Sequence, residues 1–364
     1  METLFWCSAI VIAYVYAGYP LLLAAWARLS ARAPRKIPAD GSRSWPSISI
    51  IIAARNEAGR LPGRIANLHE LRYPGSREII VVSDGSTDAT PAALAPFGPA
   101  VRLLDLPPGG KPLALNAGVA ASRGEFLVFA DARQRFSPDT LLALIANFED
   151  PQVGGVTGEL VLDSEGHETV DSSIADGVGL YWKYEKWLRR NESAVWSTLG
   201  ATGAVYALRR SLWQPLPAGT LLDDVLAPMR AVLSGYRIVF EPRARAFDRT
   251  SPDSAAESRR KTRTLAGNYQ ILGQEPRLLL PIVNPVWIQY VSHKVGRLLV
   301  PWALVGAFLA SALLASSSWI YALAFASQSA FYGLAVLGGW MDARARRGDI
   351  AKIAVSLDGK GVRS

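Results

Sequence analysis

Long apolar stretches at the two ends of the chain enclose a polar middle whose hydrophobic pattern is different. Phe5 to Trp26 is an almost uncharged apolar run, long enough at helical rise to cross a hydrocarbon core of about 30 Å. Val295 to Trp340 is long enough for two more spans, near Leu298 to Ala315 and Trp319 to Trp340, with Ser316 to Ser318 as a hairpin loop. Leu278 to Val291 is also apolar, but His293, Lys294 and Arg297 cut it short. It is expected to lie at the interface with Trp287 and Tyr290 at headgroup depth, or else to be a buried core helix. In the middle, short β-rich runs end in turn residues that carry charge. Ser47 to Leu68 predicts a strand, a turn holding Arg55, Asn56 and Glu57, and a helix. Glu78 to Thr90 predicts a strand closing on Asp84 in a glycine turn, and Gly124 to Phe136 predicts a strand closing on Asp131. Open α/β sheets bind ligands at the carboxyl ends of their strands, so these three charged ends are expected to form one site, suited to a nucleotide.

Composition and charge set the surroundings of that site. The 364 residues are 50% hydrophobic, enough for one large domain plus membrane segments. A cleaved signal peptide is disfavoured, because Met1-Glu2-Thr3 lacks a basic region and Arg28, Arg32, Arg35 and Lys36 follow the apolar run. Those residues, with Arg344, Arg346, Arg347 and Lys352 after the last span, put both flanks on the cytoplasmic side. Three crossings satisfy this, with the amino terminus outside and the middle domain in the cytoplasm. The net charge of +8 is then read as membrane topology and anionic-lipid contact. No nucleic-acid module is recognisable, since the basic residues are not interleaved with stacking aromatics. Cys7 is the single cysteine and lies in the first span, while His69, His167 and His293 have no partner at metal-ligand spacing.

Seven motifs, taken in order, carry a resemblance. They are AARNE (53–57), SDGSTD (83–88), GGKPLALNAG (109–118), FADA (129–132), GATGAVYALRR (200–210), LLDDV (221–225) and RRKTRTLAGN (259–268). Over roughly residues 46 to 270 the chain resembles a membrane-bound family-2 glycosyltransferase with a GT-A fold, and is similar to the branch of cellulose, chitin and poly-N-acetylglucosamine synthases. The resemblance implies an α/β domain with a mixed sheet, plus transmembrane helices. The expected division is a first span over 1–27, a basic linker over 28–45, a cytoplasmic catalytic domain over 46–270, an interfacial region over 271–297, two spans over 298–340 and a cytoplasmic tail over 341–364.

The same resemblance assigns chemistry to residues. Ala54, Arg55, Glu57, Asp84, Lys111, Asp131, Arg133, Arg260 and Arg263 would surround the donor, Gly203 and Ala204 the acceptor, and Asp224 would be the general base with Asp223 positioning it. Asp131 would hold Mg²⁺ or Mn²⁺ against the diphosphate. Simpler explanations stand beside these: Asp84 and Asp88 suit a turn and a helix cap, Lys111 a solvated loop, and Asp223-Asp224 a helix start. For Asp88 the cap is the expectation; for Asp84 it is the site. Arg133 stands where a second acid would complete a DxD motif, and either contacts phosphate or makes a surface salt bridge. Arg260 and Arg263 align with a QxxRW motif in which Thr264 replaces Trp, which argues against processive polymer extrusion. The implied activity is inverting transfer from a nucleotide-diphosphate sugar, UDP-linked, to a lipid or saccharide acceptor. A sugar nucleotidyltransferase and an inactive saccharide-binding subunit are the alternatives.

Overall fold

The apolar runs predicted as strands are buried on both faces, which is the environment of a central parallel strand. In β1 (Ile48–Ala54), Ile50, Ile51 and Ile52 are wholly inaccessible to solvent. The computed structural model describes residues 1–36, 44–163, 172–249 and 254–358. His167, the middle of the expected basic linker, and the side chains of Arg346, Arg347 and Lys352 lie outside the described residues.

The other strands are β2 (Arg77–Asp84), β3 (Arg102–Leu106), β4 (Phe126–Ala130), β5 (Arg135–Phe136), β6 (Val153–Asp163), β7 (Val205–Arg209) and β8 (Arg237–Arg249). They form one mixed sheet in the order β3-β2-β1-β4-β7-β6-β8-β5. β1 pairs in parallel with both β2 and β4, in registers that match Ile50 to Ile79 and to Val128. That alignment brings the exits of three strands, at Ala54, Asp84 and Asp131, to one edge of the sheet. Beyond β4 the pairing turns antiparallel at β7, so the second half of the sheet is mixed.

Helices cover both faces. α1 is the first apolar helix (Glu2–Ser30). It is followed by α2 (Leu61–Glu70), α3 (Lys111–Ala121), α4 (Thr140–Ile145), α5 (Ser172–Val195), α6 (Asp223–Leu233) and α7 (Ser254–Gln274). The alternation along β1 divides the core as strand geometry requires. Ile50 and Ile52 pack with Leu61, Ile65 and Leu68 of α2 and with α4, while Ile51 faces the opposite cluster with Leu115 of α3 and Val225 to Val232 of α6. Truncating Ile51 to alanine would cost about 2–5 kcal/mol.

Two further helices complete the chain, α8 (Trp287–Leu314) and α9 (Trp319–Asp358). With α1 they supply three candidate spans among the described residues, Glu2–Ser30, Trp287–Leu314 and Trp319–Met341, each long and apolar enough to cross a membrane. One expectation changes here. The helix anticipated over Leu278 to Val291 is not a separate element: Pro276–Leu279 is a single 3-10 turn, and α8 begins at Trp287 and runs through His293, Lys294 and Arg297. Charge does not end the helix, because carboxylates of α5 meet His293 and Arg297 (below).

The chain divides into two compact units, Ala17–Leu298 and a smaller one made of Met1–Tyr16 with Leu299–Ser364. Within the smaller unit Phe5 meets Tyr321 edge to face at 5.0 Å. There Gly306 lets two helices approach closely, since a Cβ would lie 2.9 Å from Ser8 Oγ.

Candidate active site

The first wall of the site is made of turns held by side-chain to backbone hydrogen bonds. The carboxylate of Asp84 is 6% exposed, and its Oδ1 accepts the N–H groups of Gly109 at 2.7 Å and Gly110 at 2.9 Å. Gly110 has φ +89°, a conformation that favours glycine, and it starts α3. Asp84, placed around the donor by the resemblance, thus fixes the loop that delivers Lys111. Asp88 accepts from the N–H groups of Ala58 at 3.1 Å and Thr90 at 2.9 Å; it ties two turns together and is not the helix cap expected, since the helices on either side begin after Arg60 and Pro91. Asn56, at φ +56°, accepts from Thr87 N–H at 2.8 Å. Beside it Arg55 is exposed, Glu57 is tied to Arg60 at 2.7 Å, and Ala54 is buried at the end of β1.

The second wall gathers charge. Lys111 Nζ lies 3.3 Å from Asp131 Oδ1 and 3.3 Å from Asp223 Oδ2, and so joins the exit of β4 to the start of α6. Burial disfavours its ammonium form, but Asp223, Asp131 and Asp224 outweigh burial and hold the Lys111 pKa above the usual lysine value. The adjacent Asp224 is pushed up to about 6, first by burial and then by repulsion from Asp223, with Lys111, Lys294 and a backbone N–H opposing. That N–H belongs to Gly203 and donates to Asp224 Oδ2 at 3.0 Å. A Cβ at position 203 would sit 2.8 Å from the same oxygen, so the glycine of GATGA is required by the carboxylate it touches. Asp131 is 38% exposed and offers hard oxygen ligands. Among the described residues no group of three or more metal-binding side chains converges, so a divalent cation at Asp131 fits only if diphosphate and water supply its other ligands.

Other predicted site residues have different partners. Arg133 donates to Asp248 Oδ2 at 2.6 Å, the salt-bridge alternative, and Gln134 shares that buried carboxylate. Ala204 faces the core beside Val205 and Ala207. Arg263 donates to the carbonyl of Leu221 at 3.0 Å, and Arg260 lies 5.6 Å from the ring of Trp182. Through Leu221, Arg263 borders the segment before Asp223. Asn116 clamps Leu216 through two 2.9 Å bonds to its backbone.

Sequence reasoning passed over several groups. Tyr206 is buried beneath the carboxylates, stacked on Phe129 at 4.5 Å, and burial with Asp223, Asp224 and Asp131 nearby raises its phenol far above the ordinary value. Arg189 of α5 donates to Thr202 Oγ1 at 2.5 Å, next to Gly203. On α8, His293 Nδ1 is 2.6 Å from Glu192 and Arg297 is 2.5 Å from Glu185. The period of α5 could have flagged Glu185, Arg189 and Glu192 as one charged face.

The carboxyl-edge site on a mixed sheet is that of a GT-A fold. Over 90% of this chain and 92% of the other, the structure resembles that of a mannosyltransferase from Pyrobaculum calidifontis in complex with GDP-Man and Mn²⁺, with TM-score 0.67 and 24% sequence identity. Residues 49–213 match the family described as Glycosyl transferase family 2, and the chain carries a domain of that family. It is 33% identical over 130 residues to a beta-monoglucosyldiacylglycerol synthase of Nostoc sp., covering 34% of this chain and 28% of that protein. It is 24% identical over 234 residues to the poly-beta-1,6-N-acetyl-D-glucosamine synthase of Staphylococcus epidermidis, covering 62% of this chain and 55% of that one. The matches thus span about a quarter to a little over half of the length of these two relatives.

Proposed function

We propose that this chain is an inverting glycosyltransferase that moves a sugar from a nucleotide-diphosphate donor, UDP-linked, to a lipid or saccharide acceptor at the cytoplasmic face of a membrane. The observation that carries the reading is the Lys111 bridge between Asp131 and Asp223, with Asp224 held beside it by Gly203. Asp224 accepts the proton of the acceptor hydroxyl. The acceptor oxygen bonds to the anomeric carbon as the bond from that carbon to the diphosphate breaks, and its electrons leave with the diphosphate. One base on the acceptor side, with no carboxylate nucleophile, suits inversion. A base near pH 6 is well matched to neutral conditions. Lys111 orients Asp223 and stands ready for the departing phosphate charge. Asp131 would hold Mg²⁺ or Mn²⁺, which when bound neutralises diphosphate charge. The membrane setting is supported by three candidate spans, one of which follows the domain directly.

Nucleotide release from a panel of UDP- and GDP-sugars tests the reading. Slow UDP release without acceptor, accelerated by acceptor, is the expected result. Pyrophosphate formed from UTP would indicate a nucleotidyltransferase, and neither product would indicate a binding subunit. For topology, in a Cys7→Ser background, a cysteine at Ser317 should be labelled from outside and one at the exposed Ala95 should not. The reverse pattern would overturn the cytoplasmic placement.

A further inference from the structure

Beside the acidic cluster stands a basic one that the reaction above leaves unused. Glu185, Arg189 and Glu192 recur at helical spacing on α5 and share a face, and α8 brings His293, Lys294 and Arg297 to it. The carboxylates are already engaged. Glu185 pairs with Arg297 at 2.5 Å, and Glu192 meets His293 at 2.6 Å and accepts from the hydroxyl of Tyr19 at 2.9 Å.

Two cations are left over. Arg189 has one neutral partner, the hydroxyl of Thr202, and no carboxylate at ion-pair distance among the described residues. Lys294 has neither a hydrogen bond nor an ion pair among them. Both are partly buried, and burial lowers the Arg189 pKa from its usual value. Glu185 and Glu192 act on both cations, and Asp224 and Glu159 on Arg189, but none of these acids is at ion-pair distance from either, so both cations can contact an added anion. Their position is informative too. Thr202 precedes Gly203, whose N–H holds Asp224, and the charges of Arg189 and Lys294 both act on Asp224.

We propose that Arg189 and Lys294 form an anion subsite for the acceptor, taking a phosphate group carried close to the hydroxyl that faces Asp224. The proposal rests on the reading of Asp224 as the base. A neutral saccharide has nothing to match two such cations, whereas a phosphate accepts from a guanidinium and an ammonium together. Either a lipid headgroup or a soluble phosphate ester offers this group. Lys294 sits in the first turns of a helix long and apolar enough to enter a bilayer, which favours the lipid source.

The test is binding, so it does not depend on turnover. Purified full-length protein in maltoside micelles is titrated with phosphatidic acid, diacylglycerol or glycerol 3-phosphate, and bound ligand is read by native mass spectrometry. Wild type should retain phosphatidic acid at least tenfold more strongly than diacylglycerol. Arg189→Gln and Lys294→Gln should each lose at least tenfold, Arg189→Lys should recover part of the loss, and Arg123→Gln, an exposed basic change before β4 and away from both the cluster and the basic flanks, should lose little. Competition by glycerol 3-phosphate at equal concentration would identify a soluble phosphate ester as the source; its failure to compete would identify the lipid. Equal retention of the two lipids, or unaltered retention in both glutamine variants, would overturn the subsite. Thermal unfolding of each variant checks folding, and either glutamine variant suffices if the other does not fold. Nucleotide release by wild type judges the transferase reading independently.

Discussion

The parallel half of the sheet and the half beyond β4 contribute to one site by different means. In the parallel half, charge is met by backbone: Asp84 takes the amides of Gly109 and Gly110, and Asn56 and Asp88 take those of Thr87, Ala58 and Thr90. All of these bonds except that from Thr90, which lies within one turn, join neighbouring strand-end turns. In the other half, charge is met by side chains drawn from distant parts of the chain. Lys111 reaches Asp223, Arg189 reaches Thr202, and His293 reaches Glu192. A backbone amide holds a loop in place and always favours the carboxylate form, whereas side-chain charges of either sign move a neighbour's hold on its proton up or down. The first half should therefore govern stability and donor affinity, and the second half the chemical step.

The largest separation is expected at Asp224. Asp224→Asn should lower kcat by roughly 10²- to 10⁴-fold with little change in donor KM, the signature of a lost general base. Wild-type kcat/KM should rise with pH through about 6 and then level off, because the base acts only when deprotonated. Lys111→Met removes a charge that favours the carboxylate form of Asp224, so the same limb should move to higher pH. A pH profile that stays in place would show that Lys111 does not tune the base.

Gly203→Ala comes next. The added methyl would crowd Asp224 Oδ2, an overpacking cost of about 1–3 kcal/mol, and should lower kcat more than it changes donor KM. Loss confined to KM would place position 203 on the donor side and blur the distinction between the halves. Asp84→Ala should act in the opposite sense. It leaves the N–H groups of Gly109 and Gly110 without their acceptor, costs about 1–3 kcal/mol in chemical denaturation, and raises donor KM more than it lowers kcat. The smallest effect is expected from Arg263→Gln, where one hydrogen bond to Leu221 is lost, about 1 kcal/mol. A tenfold rise in donor KM instead would return Arg263 to the diphosphate, as the motif alignment implied.

The same division explains what could be read from the sequence. Strand exits at Ala54, Asp84 and Asp131 were legible because a buried run followed by turn residues is a local signal, and the GT-A fold was implied by the family resemblance that the ordered motifs carry. What Asp84 touches was not legible, since its partners lie 25 and 26 residues ahead in the chain. Arg133 shows the same limit: its residue type suits phosphate equally well, and only the pairing of β5 with β8 brings Asp248 to it. The start of α8 was misplaced because charge at Lys294 and Arg297 was taken as the end of an apolar run. The α5 partners of His293 and Arg297 lie about a hundred residues earlier.

On the proposed reading of Asp224 as the base, the bond from Gly203 would also limit which acceptor hydroxyl reacts. With Oδ2 of Asp224 engaged by that amide, Oδ1 is the oxygen with no hydrogen bond among the described residues, and its direction is fixed by the start of α6. A base held in one orientation selects by position and not by acidity, because the hydroxyls of a sugar or glycerol differ little in pKa. Linkage regiochemistry would then be written into a single backbone amide, and loosening that amide should yield mixed positional isomers before it abolishes transfer.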